Sequence, residues 1–248
     1  MGKKMLVGLV VVGMLFLGAV SVVATTLNVP SSDYPTIQSA INAAVEGDTI
    51  LVAEGTYNII DGMGGPTYEP VSITKSITLK GAGSDKTILD ANYPTGHCDV
   101  IWIHSSNVVI EGLTVKNGNY GIRISSSSAL SNISFSDVIV TSNHESGIVF
   151  DNYFGIYSLS NVTFTNCRVE NNGNRGIYFA PNKPASNITL TNTSCDNNRI
   201  MGFNCQGTID GLTISGGTFN NNVGGSPYGT SEGPYYGSGI NLENCKNA

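Results

Sequence analysis

The feature that most constrains this chain of 248 residues is a template that recurs along its second half. Segments beginning at Asn132 (NISFSDVIVTSNHESGIVF), Asn161 (NVTFTNCRVENNGNRGIYF) and Asn187 (NITLTNTSCDNNRIMGFNC) share one order. Alternating apolar residues come first, then an Asn-rich turn, a Gly beside an apolar residue, and alternation again. Asn107 opens a version with one residue fewer, and Gly211 opens one whose longer loop resumes at GSGINL. The recurring glycines stand at 121, 147, 176, 202 and 239, so the spacings are 26, 29, 26 and 37 residues. Short alternating strands cut by Gly and Asn, repeating every twenty-odd residues, predict one coil of a β-solenoid per repeat.

Stacking the repeats predicts the columns. Inward ones run Val108, Ile133, Val162, Ile188, Leu212, then Ile110, Phe135, Phe164, Leu190, Ile214, and later Ile124, Phe150, Phe179, Cys205, Leu242. A turn column reads Asn143, Asn172, Asn198 and Asn222. Asparagine there is expected both to take left-handed geometry and to bond its amide to the coils above and below. Nearer the N-terminus, Ile37, Ala40, Ile41 and Ala44 recur at helical spacing, with Gly47 as the expected stop. Such a helix would cover the open end of the solenoid.

Charge is scarce: 12 Lys plus Arg against 18 Asp plus Glu, or 12% of residues. Thirty Gly and 27 Asn supply much of the polar surface instead. A net charge of −6 argues against nucleic acid as a partner, and 40% hydrophobic residues argue against disorder. Stacking explains the scarcity, because like charges on successive coils would lie about 5 Å apart.

Residues 1–24 read as a secretory signal peptide, or an uncleaved N-terminal anchor. Lys3 and Lys4 precede an apolar run from Leu6 to Val23, and Val22-Val23-Ala24 offers a cleavage site. Residues 25–248 then form one exported domain, secreted or at the cell surface, with no membrane contact beyond that anchor. Cys98, Cys167, Cys195, Cys205 and Cys245 include no CxxC pair, and an odd number cannot all pair within one chain. Three fall at core positions, and one disulfide of unassigned pairing stays open.

TIQSAINAA, GDTILVAEGTY and KSITLKGAGSDKTIL resemble the opening of right-handed parallel β-helix proteins of the pectin-lyase-like superfamily. The later SNxTFxNxxVxNNxxxGI units resemble its parallel β-helix repeats. The resemblance implies an all-β, single-stranded right-handed parallel β-helix with a short N-terminal capping helix. That superfamily includes lyases, esterases, hydrolases, epimerases and proteins without activity, so the fold alone does not assign a function. The opening is also similar to pectin methylesterases, but no equivalent of their QxV and FxxRD stretches is present, and no esterase residue carries over.

Outward columns hold the candidate sites. Lys116, Thr141, Glu170, Asp196 and Asn220 form one, in which Glu170 and Asp196 are stacked carboxylates. Two such groups call for a cation or donor between them, and lyases of the resembled fold use Ca²⁺ to acidify a uronate. Arg168, on the same face, completes a candidate catalytic set with Glu170 and Asp196, the two acids being candidate metal ligands. No cofactor is expected unless the protein is such a lyase, in which case it is Ca²⁺. The second candidate follows each recurring Gly: Arg123, Val149, Tyr178, Asn204, Asn241, and Ser125, Asp151, Ala180, Gln206, Glu243. An aromatic face among amides and carboxylates suits sugar recognition. Asp151 and Glu243 lie three coils apart, about 14 Å, beyond the ~5–9.5 Å of a glycosidase pair. The last coil resembles a bacterial β-helix subgroup with an Arg before GI and a GIDIE-type strand. Arg199 takes the Arg place and Glu243 the Glu place, while Asn241 stands where that pattern has Asp. The Gly224–Gly239 loop, with Tyr228, Tyr235 and Tyr236, would overhang the strip. Tyr178, Arg199, Asn204, Asn241 and Glu243 are thus the candidate substrate-binding residues.

Asn132, Asn161, Asn187 and Asn192 open Asn-x-Ser/Thr sequons, three of them at one repeat position. His97, His104 and His144 fall on different segments without a partner visible in the sequence. GINLENCKNA stops on a core strand, so the expectation is a chain lacking its C-terminal cap, with further coils missing or end-to-end self-association. The expected function is an exported β-helix domain that meets polysaccharide or other glycans. The alternatives are a Ca²⁺-dependent polysaccharide lyase or related carbohydrate-active enzyme, and a structural spacer without activity. Only four Arg in the whole chain weigh against the lyase.

Overall fold

A computed structural model describes residues 23–59, 70–92, 98–151, 157–182, 184–224 and 237–247. Nearly all of the leader, His97 and the three tyrosines of the Gly224–Gly239 loop lie outside these residues.

The chain forms a right-handed parallel β-solenoid whose turns each contribute to three faces. The first face runs β1 (Thr26–Val29), β2 (Thr49–Val52), β5 (Thr78–Gly81), β8 (Val108–Glu111), β11 (Leu130–Ser136), β14 (Leu159–Thr165) and β17 (Pro184–Thr191). The second is a five-stranded sheet of β3 (Gly55–Asn58), β6 (Thr87–Asp90), β9 (Thr114–Lys116), β12 (Ile139–Thr141) and β15 (Arg168–Glu170). The third holds β4 (Val71–Ile73), β7 (Ile101–Ile103), β10 (Ile122–Ile124), β13 (Ile148–Phe150) and β16 (Arg175–Phe179). Strand β18 (Met201–Ser215) starts on the third face and ends on the first, joining them into one 14-stranded sheet, and β19 (Ser238–Lys246) pairs with it.

The inward columns hold their expected register. Ile133 pairs with Val108 on one side and Val162 on the other, and Val162 with Ile188. Phe150 pairs with Ile124 and Phe179, and Phe179 with Cys205. Like side chains therefore stack: Phe135 on Phe164 at 4.9 Å between centroids, and Phe150 on Phe179 at 4.2 Å. Each phenyl ring withdrawn from water contributes about 2–3 kcal/mol. Leu242 keeps its register with Cys205 but stands 40% exposed on the last described strand.

The turns separate two roles that the sequence assigns to one asparagine. Left-handed φ falls on Asn117, Ser142, Asn171, Asn197 and Asn221, each one residue ahead of the ladder position. Two further left-handed columns precede it in the chain: Asn107, Asn132, Asn161, Asn187, Gly211, then Gly112, Asp137, Asn166, Asn192, Gly216. Within each turn these positions are five residues apart, as in 132, 137 and 142. Asn and Gly tolerate this region, whereas other L-residues resist it.

The ladder asparagines are buried behind the left-handed ones. Asn143 donates its amide to Asn172 Oδ1 at 3.0 Å, Asn172 donates to Asn198 Oδ1 at 2.9 Å, and the Asn198 backbone N–H donates to Asn222 Oδ1. The recurring glycines make room for them. A Cβ on Gly121, Gly147, Gly176 or Gly202 would come within 2.7–2.9 Å of the Nδ2 of Asn143, Asn172, Asn198 or Asn222 respectively.

The expected helix is α1 (Ile37–Ala43), started by Thr36 and Ser39, which cap each other's backbone N–H groups. It packs on β1, β2 and β4 with Ile37, Ala40 and Ile41 buried. Its end differs from expectation: Ala44 is already extended, and Gly47, at φ 90°, belongs to the turn into β2. Lys75 Nζ donates to the carbonyls of Ile41, Asn42 and Ala44, supplying the C-terminal cap that glycine was expected to provide.

Candidate functional site

The third face carries the polar strip. Its outward column reads Trp102, Arg123, Val149, Tyr178, Asn204 and Asn241 on successive strands. Two residues further along each strand stand His104, Ser125, Asp151, Ala180, Gln206 and Glu243. The strip divides into two clusters with different chemistry.

In the N-terminal cluster, Arg123 lies 4.5 Å from the Tyr120 ring centre and 5.5 Å from that of Trp102. Its Nε donates to Asp99 Oδ2 at 2.6 Å, and Nη1 pairs with Asp151. Asp99 also accepts from Trp102 Nε1 and from the Tyr120 backbone N–H. Side-chain exposure is only 12% for Arg123, 5% for Asp99 and 15% for Asp151, so the guanidinium charge is spent inside the cluster. Burial opposes that charge, but Asp99 and Asp151 outweigh it and hold the Arg123 pKa above its ordinary value. Burial, with the nearby Glu145 carboxylate, pushes the Tyr120 phenol up to about 12. His104 sets Nδ1 2.7 Å from the Ser125 carbonyl and its ring edge-on to Trp102 at 5.4 Å. Asp99 and Trp102 are absent from the sequence-derived site because they precede the clear template, and Tyr120 because it falls in the turn ahead of Gly121 and not in an outward strand column.

The C-terminal cluster gathers four of the five candidate binding residues. Arg175 stacks on Tyr178 at 4.3 Å, and the Tyr178 hydroxyl donates to Gln206 Oε1 at 2.6 Å. Gln206 Nε2 donates to Glu243 Oε1 at 3.3 Å, and Asn241 Nδ2 donates to the same oxygen at 3.2 Å. Asn241 Nδ2 also donates to Asn204 Oδ1 at 2.9 Å. Asn204 is fully buried, so it orients Asn241 rather than meeting a ligand, while Glu243 is exposed and Tyr178, Gln206 and Asn241 are half-buried. Arg199 stands exposed on the turn ahead of β18, where its backbone N–H donates to the Asn172 carbonyl. The arrangement presents one aromatic side chain and a connected row of amide and carboxylate groups, which can exchange hydrogen bonds with hydroxyls.

On the second face, Glu170 pairs with Thr141 as expected, and Asn171 N donates to the Asp196 carbonyl on the following turn. Arg168 binds Glu170 through Nη2–Oε1 and Nε–Oε2, the latter at 3.3 Å. That hydrogen bond, with the Glu170 charge, raises the Arg168 pKa against its partial burial. Asp196 turns instead to the next coil, accepting from the Thr218 hydroxyl and the Asn220 N–H. Calcium takes about six to eight oxygen ligands, and two carboxylates already engaged elsewhere do not fit it. Among the described residues no group of three His, Cys, Asp or Glu side chains is placed to hold a metal ion.

A family described as "Right handed beta helix region" matches residues 77–247. No curated protein matches the sequence. Among solved structures, pectate lyase Pel9A superposes with a TM-score of 0.63 at 16% identity, over 89% of this chain and 60% of that one. ORF18 of Geobacillus virus E2 gives 0.65 at 18% identity, over 88% of this chain and 46% of that one. These likenesses concern the fold, and this chain spans about half to three-fifths of their length.

Proposed function

The chain belongs to the right-handed β-helix family, and on that footing we propose that it works outside the cell by binding polysaccharide or another glycan. The carrying observation is the linked row Tyr178–Gln206–Glu243–Asn241 on the third face, held in place from below by Asn204. Sugar hydroxyls would meet the amides and Glu243 beside the Arg175–Tyr178 stack. Support from likeness is coarser: a pectate lyase is among the structures of the same fold. Charge argues for a hydroxyl-rich ligand rather than a polyacid. Arg123 is enclosed by Asp99 and Asp151, and Arg168 is bound to Glu170.

The test is a panel of neutral and uronic-acid polysaccharides, each with Ca²⁺ or EDTA, followed for binding and for absorbance of unsaturated product. The expected result is binding of a neutral glycan, weakened at least about tenfold by Tyr178→Ala or Glu243→Gln, equivalent to about 1.4 kcal/mol. Ca²⁺-dependent product lost in Glu170→Gln would replace this reading with a lyase built on Arg168, Glu170 and Asp196. Absence of binding and product alike would leave the spacer.

A further inference from the structure

Two of the five cysteines meet at one corner of the solenoid. Strand β18 turns from the third face to the first just after Cys205, and β19 makes the same turn ahead of Cys245. Cys205 pairs with Leu242 and Ile209 pairs with Cys245, with one extra residue of β18 absorbed between Cys205 and Thr208. The corner brings two inward columns together. In earlier turns Ile124 faces Leu130, Phe150 faces Leu159, and Phe179 faces Ala185, all lining one shallow cleft. Cys205 continues the first column and Cys245 the second, one turn further on. Cys205 is fully buried in the core, Cys245 packs half-buried against that core, and the two thiols lie within hydrogen-bonding reach.

We propose that Cys205 and Cys245 form a disulfide that pins β19 to β18. Burial, reinforced by Cys245, pushes the Cys205 thiol up to about 12, so it remains protonated and sheltered. The half-buried Cys245 meets the oxidant, a small disulfide such as oxidised glutathione. The Cys245 thiolate attacks that S–S bond, forming a mixed disulfide and releasing one thiolate. Cys205 Sγ then attacks Cys245 Sγ, and its proton passes to the departing glutathione sulfur, which leaves as a thiol. Two protein thiols are oxidised and one disulfide is reduced to two thiols. Cys98, Cys167 and Cys195 are each 2% exposed or less, out of reach of the same oxidant. The bond would act locally, because a solenoid's stability is a sum over neighbouring coils.

The test incubates the folded chain with oxidised glutathione, alkylates it in denaturant, and maps the peptides. The expected result is two fewer alkyl groups than in the reduced chain and a single Cys205–Cys245 linkage, unchanged in Cys98→Ser and absent in Cys245→Ser. Amide exchange across β19 should slow at least about tenfold on oxidation. Alkylation of both Cys205 and Cys245, glutathione retained on Cys245, or a linkage through another cysteine would each overturn the proposal.

Discussion

Gly147 lies directly against the side-chain amide of Asn172: a Cβ there would stand 2.8 Å from Nδ2 and 2.4 Å from Val169 Cγ1. The missing side chain of one turn is the space occupied by the ladder of the next. Gly147→Ala should therefore destabilise the chain by about 2–3 kcal/mol through overpacking. Val169→Ala should return part of that loss in the double variant, by removing the nearer clash. Denaturant midpoints of the two single variants and the pair check both statements.

Removing the ladder amide itself should cost more than removing an exposed one. Asn172 Oδ1 accepts from the Asn143 backbone N–H at 3.2 Å and from its Nδ2 at 3.0 Å, in a site 2% exposed. Asn172→Leu strands those donors without water, and a loss of about 3–4 kcal/mol is expected. Equilibrium unfolding measures it, and a loss below about 1 kcal/mol would show that the ladder is not a source of stability.

The sequon asparagines have a different requirement. Asn161 sits at φ 54° on the surface, donates its amide to Asn132 at 3.0 Å and accepts from Asn187 at 3.0 Å. Asn161→Gly keeps the backbone and loses only exposed bonds, so a change within about 1 kcal/mol is expected. Asn161→Val adds a left-handed penalty, for a total of about 2–3 kcal/mol. Thermal midpoints should rank wild type, then Gly, then Val.

Acid should loosen the N-terminal end. Backbone N–H groups of Val45 and Thr25 donate to Asp48, against its desolvation, and hold its carboxyl below the usual 3.8. A carboxyl depressed on folding gives its full contribution above the unfolded value, and loses it as pH falls through the folded one. Asp48→Asn should therefore be less stable at pH 7, with the difference closing progressively below about pH 3.8. A constant gap across that range would mean that charge plays no part.

The buried cation holds two acids apart. Arg123→Gln leaves Asp99 and Asp151 uncompensated at low exposure, and a loss of about 3–5 kcal/mol at neutral pH is expected. Arg123→Lys keeps a cation between the two carboxylates and should recover part of that loss. Denaturant midpoints of the two variants at pH 7 check it, since a simple packing defect would leave Lys no better than Gln.

Much of the coil was legible because each strand repeats its own alternation at fixed offsets. Ile133, Phe135 and Phe150 declare their columns without any knowledge of space. The division of labour at the turns was not, since Asn171 and Asn172 are the same residue type side by side, and only backbone geometry tells the bent one from the buried one. The ion cluster was hidden for another reason. Arg123 reaches Asp99 and Asp151 across 24 and 28 residues, and such partners become neighbours only through stacking. Arg168 and Glu170, two apart on one strand, were readable as a pair for the opposite reason.

The left-handed positions begin successive turns at 107, 132, 161, 187 and 211, steps of 25, 29, 26 and 24 residues, yet each is followed by the same two five-residue strides. Every difference in length is therefore confined to the remaining arc, the one that carries the third face and its polar strip. The winding is metered along one side and left free along the other. A binding surface there can lengthen or shorten its loops without the stack behind it changing pitch, so new specificity and structural integrity need not compete for the same residues.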